Sequence, residues 1–222
     1  AVLRAYPAAT VTTREVDDED WARRSQENLQ PVTVGRITVA PPWAAHASAA
    51  TPTSDRITVV ILPSMGFGTG HHATTRLCLE ALQQIDLRGK TMLDVGTGSG
   101  VLAIAARFLG ACDVVGVDYD EDAIQSAVDN RDLNPSASDV RFDTLDLRHA
   151  QLRASDVVTA NLTGALLVHS AALLLGALSS GGTLIVSGLQ QHERDEIVAS
   201  MDDARLVWEG EEAGWVGLAF VR

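Results

Sequence analysis

From Thr74 to the end of the chain, short aliphatic runs alternate with longer stretches whose apolar residues recur every three or four positions. This alternation sets the first expectations. The clearest strand is 91–95, where Thr91, Met92, Leu93 and Val95 form a compact apolar run. Further strands are expected at 113–117, 138–142, 156–160 and 182–187. Helices are expected at 74–85, 100–109, 121–130, 164–178 and 190–201. In the first of these, Leu77, Cys78, Ala81, Leu82 and Ile85 share one face. Strands alternating with helices predict a doubly wound, mostly parallel sheet covered on both faces, an α/β fold. The alternation stops at 205–209 and 215–222, which read as two strands around a loop at 210–214. An antiparallel hairpin appended to the sheet is therefore expected.

Upstream the pattern changes. Residues 11–28 are polar and charged, with acids clustered at 15–20. Residues 32–39 alternate as one strand would, and 57–62 read as another. Between them, 40–54 is rich in Ala, Pro, Ser and Thr, with turn signals at Pro41, Pro42 and Pro52. The expected division is an N-terminal extension with a small β element over 1–62 and a main domain over 63–222.

Composition narrows the classes. The 222 residues, 46% of them hydrophobic, suffice for one large domain or one domain with a small appendage. The longest apolar candidate, 165–178, is interrupted by His169 and Ser170 and is shorter than the roughly 20 residues of a membrane span. No secretory signal opens the chain, which begins at Ala1 rather than Met, so a trimmed start is expected. Cys78 and Cys112 stand alone, without metal spacing or a disulfide framework. A reduced, cytoplasmic protein without a metal is expected. The net charge of −12 argues against sequence-independent nucleic-acid binding, which needs Lys and Arg on phosphates, and is compatible with a basic protein partner.

The chemistry concentrates at 93–100, Leu-Asp-Val-Gly-Thr-Gly-Ser-Gly. Gly96, Gly98 and Gly100 allow a tight turn and a close approach to a ligand, and the helix that follows presents its N-terminus. The spacing is G-x-G-x-G, with Val101 following, and not the G-x-G-x-x-G of dinucleotide sites. Asp94, at the strand end, would repel a pyrophosphate and attract an ammonium. Asp118, ending the next strand, is placed to hydrogen-bond a ribose diol. A ligand with a ribose, an ammonium and a carboxylate but no phosphate fits, and S-adenosylmethionine is such a ligand. As plain structure, the same residues would be turn glycines and a helix cap.

Other segments add candidates. Residues 65–75, Met-Gly-Phe-Gly-Thr-Gly-His-His-Ala-Thr-Thr, form a glycine-rich connection able to fold over a ligand. Phe67 is placed to cover an adenosine or sulfonium group, with Gly68 giving freedom and Thr69 and Thr75 offering hydroxyls. The alternative is a flexible connector with Thr74 as a helix cap. His71 and His72 are adjacent and cannot both face one metal from a helix; the choice is between a base and a residue that holds the loop. Asn161 ends the strand 156–160, where its carbonyl can accept a hydrogen bond from a substrate amine; otherwise it is a turn Asn. Asp146 is placed to reach an adenine amino group, or is a cap or a solvated acid. Trp208 and Trp215 are expected to pack in the core.

Taken together, Phe67-Gly-Thr-Gly-His-His-x-Thr-Thr, the loop Leu-Asp-Val-Gly-Thr-Gly-Ser-Gly-Val-Leu-Ala-Ile-Ala-Ala, Gly-Val-Asp118 and Ala-Asn161-Leu resemble the PrmA-type methyltransferases. These modify lysines and the N-terminus of large-subunit ribosomal protein eleven. The resemblance runs from about Trp21 to Arg222 and includes Pro-Pro-Trp43. It implies a class I methyltransferase fold, S-adenosylmethionine as cofactor, and methyl transfer to protein amines, with a basic ribosomal protein as substrate. Thr75, Gly96, Asp118 and Asn161 match the family's cofactor-contacting residues, and 67–70 matches its covering loop. Leu62-Pro63-Ser64 stands where the family has Glu-Pro-Gly, and His72-Ala-Thr-Thr where it has His-Pro-Thr-Thr or a similar run. Residues 1–62 stand where the family carries a larger substrate-gripping domain, so a shortened recognition region and linker are expected. Two other functions remain: a methyltransferase of another protein or a small molecule, and a cofactor-binding module without turnover.

Overall fold

The computed structural model describes residues 29–48, 56–63, 70–149 and 151–222. The acidic cluster at 15–20, Pro52, and Phe67, Gly68 and Thr69 lie outside the described residues.

The run 32–39 is not one strand. It folds as β1 (Val32–Val34) and β2 (Ile37–Ala40), paired antiparallel. The reason is Gly35, whose φ of 55° turns the chain back in the left-handed region that glycine enters freely. β3 (Ile57–Val60) pairs parallel to β2 and completes a three-stranded sheet. Between β2 and β3, part of the stretch read as turns is helical: α1 (Pro42–Ser48) opens with Pro42 at its first position, where proline's fixed φ suits a helix and its missing N–H would bond nothing.

The elements of the larger sheet follow α2 (Ala73–Leu82): β4 (Thr91–Val95), α3 (Val101–Phe108), β5 (Asp113–Asp118) and α4 (Glu121–Asp132). Next come β6 (Arg141–Thr144), β7 (Ser155–Asn161), α5 (Gly164–Gly176), β8 (Leu178–Gln190) and α6 (Arg194–Ser200), and the chain ends with β9 (Arg205–Glu212) and β10 (Trp215–Val221). The seven strands lie in the order β6-β5-β4-β7-β8-β10-β9. β4 through β8 pair in parallel, and β10 runs antiparallel to both β8 and β9. The doubly wound sheet and its terminal hairpin are both present.

Alternation along each strand sorts the core onto two faces. Met92, Val114, Val157 and Ile185 join one apolar cluster with Leu79, Leu82 and Ile104. Their neighbours Leu93, Val115, Val158 and Leu184 join the other, with Leu167, Leu174 and Ile197. Ile37, Val39 and Val59 of the small sheet extend the first cluster.

Several boundaries differ from expectation. β6 starts at Arg141 because 135–137 form a 3-10 turn around Pro135. α6 starts at Arg194 because β8 runs on to Gln190, whose N–H donates to the Glu193 carboxylate at 2.7 Å across a further 3-10 turn. The terminal strands also run longer, leaving Ala213 and Gly214 as the two-residue turn, both at positive φ (52° and 80°) as a tight hairpin requires.

Candidate functional site

The carboxyl ends of β4, β5 and β7 open into a cavity of about 940 Å³. Such a position, outside the strand ends of an open parallel sheet, is where α/β folds place ligands.

One wall is the glycine loop. Gly96 and Thr97 both donate their N–H groups to the Val117 carbonyl, at 2.8 and 3.0 Å. Gly96, Gly98 and Gly100 have φ values of 71°, 52° and 78°. A Cβ on Gly96 would collide with the Leu162 side chain across the cleft. The loop therefore requires glycine, both for its backbone angles and for the space in front of it. Asp118 closes this wall: one carboxylate oxygen accepts from the Gly98 N–H at 3.0 Å, the other from the Asp120 N–H at 3.2 Å.

Asp94 is not on the cavity wall. Only 1% exposed, it lies beneath the loop, where its oxygens accept from Thr97 Oγ1 at 2.7 Å and Thr159 Oγ1 at 2.5 Å. Burial pushes its pKa up to about 6, the two threonine hydroxyls pull it down, and the nearby Asp118 carboxylate pushes it up. The side chain expected to meet a ligand's ammonium instead ties β4, the loop and β7 together. Thr75 is likewise absent from the wall, buried within α2.

The opposite wall comes from the end of β7 and the start of α5. Asn161 reaches the cavity with Leu162, Thr163 and Leu166. Its backbone pairs with Ser187, while its side-chain amide has no hydrogen bond among the described residues. Asp146 lies on the cavity wall too, but Arg148 grips it through Nε and Nη2 at 2.6–3.0 Å and holds its pKa down to about 2.

Of the expected residues, Gly96, Gly98, Asp118, Asp146 and Asn161 are thus brought to one cavity. Tyr119, Leu145 and Leu147, which complete the wall, were not anticipated. Each follows a strand end directly or closely, and sequence reading that stopped at polar residues passed over them. Tyr119, 77% exposed, is an aromatic ring without burial and therefore free to meet a ligand.

The histidines hold structure. His72 caps α2, with Nδ1 2.8 Å from Thr74 Oγ1, and sets its ring edge against Trp215 with centroids 4.9 Å apart. The cap is His72 and not Thr74. His71 Nε2 lies 2.9 Å from the Gln30 carbonyl. Trp208 and Trp215 are partly buried, with Trp208 packed against the first core cluster. Among the described residues no cluster of three His, Cys, Asp or Glu side chains is arranged to hold a metal, and no helix is long and apolar enough to cross a membrane.

With this geometry in view, the chain matches, over residues 3–222, the family model described as ribosomal protein L11 methyltransferase (PrmA). It is 42% identical over 195 residues to the ribosomal protein L11 methyltransferase of Levilactobacillus brevis, and 39% identical over 194 residues to that of Pediococcus pentosaceus. In each case 87% of this chain is matched, and the chain spans about 60% of the relative's length. The crystal structure of a ribosomal protein L11 methylase from Lactobacillus delbrueckii subsp. bulgaricus superposes with a TM-score of 0.78 at 26% identity, covering 87% of this chain and 99% of the other.

Proposed function

The chain belongs to the ribosomal protein L11 methyltransferase (PrmA) family, and from that premise we propose that it is an S-adenosylmethionine-dependent methyltransferase acting on protein amines, with ribosomal protein L11 as substrate. The observation that carries this reading is the pairing of unlike walls across one cavity: a glycine loop with Asp118 on one side, an uncommitted Asn161 amide on the other.

The residues present fit such a cofactor. Gly96 and Gly98, at φ of 71° and 52°, let the loop turn tightly and present bare backbone to the cavity. Asp118 holds its carboxylate with two backbone N–H bonds and keeps lone pairs for a diol. Tyr119, Leu145 and Leu147 supply an apolar seat for a base. The cofactor when bound supplies a methyl group on a cationic sulfur.

The chain's own residues then have three tasks. An acceptor lysine must give up its proton to water before it attacks, because an ammonium has no lone pair. Apolar surroundings at Leu162 and Leu166 favour the neutral amine. Asn161 accepts a hydrogen bond from the amine N–H through its side-chain carbonyl and points the lone pair at the methyl carbon. With the cofactor bound, an amine so oriented would form its C–N bond as the C–S bond breaks, the sulfur keeping that electron pair, and would then shed a proton to water. The acidic surface favours a basic protein acceptor.

The test is transfer of labelled methyl from S-adenosylmethionine to purified ribosomal protein L11, with total cell lysate beside it. Label on L11 is expected. Label only on another lysate protein would keep the transferase and replace its substrate. No label anywhere, with cofactor binding confirmed, would sink the reading.

A further inference from the structure

The helix that follows Asp118 does two jobs at its two ends. Its first half, with Asp122, Ala123 and Ser126, forms part of the cavity wall. At its far end sit Asn130, 1% exposed, and just beyond it Asn134, 3% exposed. Side-chain amides are rarely buried without hydrogen bonds, and in both the oxygen and the nitrogen are bonded. Asn130 Oδ1 accepts from the Leu62 N–H at 2.8 Å, and its Nδ2 donates to the Ser99 carbonyl at 2.9 Å. Asn134 accepts from the Val60 N–H at 2.9 Å, and its Nδ2 donates to the carbonyls of Val60 and Asn130, both at 2.7 Å. Two side chains thus stand in for a neighbouring strand along the free edge of β3. Apolar packing of α4 itself is thin: Ala127 and Asn130 are its only fully buried residues.

The two asparagines are not equivalent. Asn134 ties β3 to α4 alone. Asn130 joins three parts: the end of the small sheet at Leu62, α4, and the Ser99 peptide between the two glycines that bend the cofactor loop. Gly98 and Gly100 flank that peptide at positive φ. The orientation of the Ser99 peptide fixes where the Gly98 and Ser99 backbone faces the cavity, and both residues line it.

We propose that Asn130 is a positioning residue for the cofactor loop, coupling it through one buried amide to the small N-terminal sheet. The proposal rests on the reading of the cavity as a cofactor site. Cofactor affinity then depends on a side chain that never lines the cavity. By reciprocity, occupancy of the cavity steadies the Leu62 N–H, which it does not touch.

Chemistry separates this role from simple structural support. Asn130→Asp keeps an acceptor for Leu62 but removes the donor to Ser99 and sets a carboxylate against its carbonyl. Asn134→Ala removes the bonds to β3 and leaves the Ser99 contact whole. Binding of S-adenosylhomocysteine by calorimetry and thermal midpoints without ligand are read for both variants. Asn130→Asp is expected to weaken binding about tenfold, a typical effect for one charge-disturbed hydrogen bond. Asn134→Ala is expected to lower the midpoint and leave affinity within about twofold. In the unaltered chain, hydrogen exchange at Leu62 is expected to slow several-fold when S-adenosylhomocysteine is added, a readout that needs no variant to fold. Equal weakening by both variants, unchanged affinity in Asn130→Asp, or exchange at Leu62 indifferent to ligand would each overturn the proposal. Failure of the unaltered chain to bind S-adenosylhomocysteine would sink the cofactor reading itself, and the proposal with it.

Discussion

The two walls of the cleft are held by opposite means. On the glycine side the loop is tied down by its own hydrogen bonds: Gly96 and Thr97 donate to the Val117 carbonyl, Gly98 donates to Asp118, and Asp94 accepts from two threonines beneath. On the Asn161 side the backbone is paired but the amide has no partner among the described residues, and Leu162, Thr163 and Leu166 present surface to the cavity. Preorganised groups act on a ligand without reorganising when it arrives. Uncommitted ones can adapt to a second ligand. Under the proposed function the first wall would hold the cofactor and the second would present the acceptor, so damage to each should have a different kinetic signature.

The sharpest separation comes from Asn161→Ala. Losing the acceptor for the amine should lower turnover about a hundredfold. Affinity for S-adenosylhomocysteine should stay within about threefold, because the glycine wall is untouched. Single-turnover methylation beside calorimetry reads both. Loss of affinity matching the loss of turnover would merge the two walls into one.

Asp94→Asn tests whether the buried carboxylate is scaffold. Its pKa in the fold is about 6, above its ordinary 3.8. The folded state therefore holds a proton that the unfolded chain has lost, and stability from this site falls as pH rises from about 4 through 6. The amide has no such dependence. Relative to the unaltered chain, the variant should gain on the order of 2 kcal/mol across that window, allowing for relaxation around the buried group. Urea melts at pH 4, 5, 6 and 7 measure the gap. A gap constant with pH would mean that Asp94 is ionised throughout.

Gly96→Ala attacks a place where the described walls nearly meet. A left-handed φ costs an L-residue about 1–2 kcal/mol, and the new methyl strikes Leu162. Affinity should fall about tenfold. Adding Leu162→Ala should recover the steric part and leave the backbone part. Full recovery would show that the φ at Gly96 carries no strain of its own.

The glycine wall was also the more legible of the two. G-x-G-x-G and Asp118 are signalled locally, by a strand that stops and the residues that end it; on the other wall only Asn161 carries such a signal. Asp94 was legible as important but its surroundings were not, because sequence shows that an acid ends a strand but not that two threonines close over it. One of them, Thr159, comes from a different strand. The same limit hid Tyr119, Leu145 and Leu147, whose meaning depends on three strand ends converging. In the small sheet the alternation of 32–39 gave no sign of the break at Gly35. Asn130 and Asn134 were unreadable: apart from the bond between them, their side-chain partners lie 31 to 74 residues away, and a polar residue on or just after a polar helix carries no periodic signal.

The smallest effect is expected farthest from the cleft, at the other end of β5. Asp113 there accepts from Arg153 and Arg141 at 2.6 and 2.7 Å, and these hydrogen bonds hold its pKa down to about 2. A depressed carboxylate stabilises the fold above its ordinary pKa near 4 and loses that contribution as pH falls toward 2. Both partners are about a third exposed or more, so solvent and salt weaken the pairs. Arg153→Ala should therefore cost under about 1 kcal/mol at pH 7 and shift the acid limb of unfolding slightly upward. Cofactor affinity should not change, although β5 carries Asp118 at its other end. A changed affinity would mean that strain at Asp113 travels the length of the strand, and that the glycine wall is held by the whole of β5 and not by the loop's own hydrogen bonds.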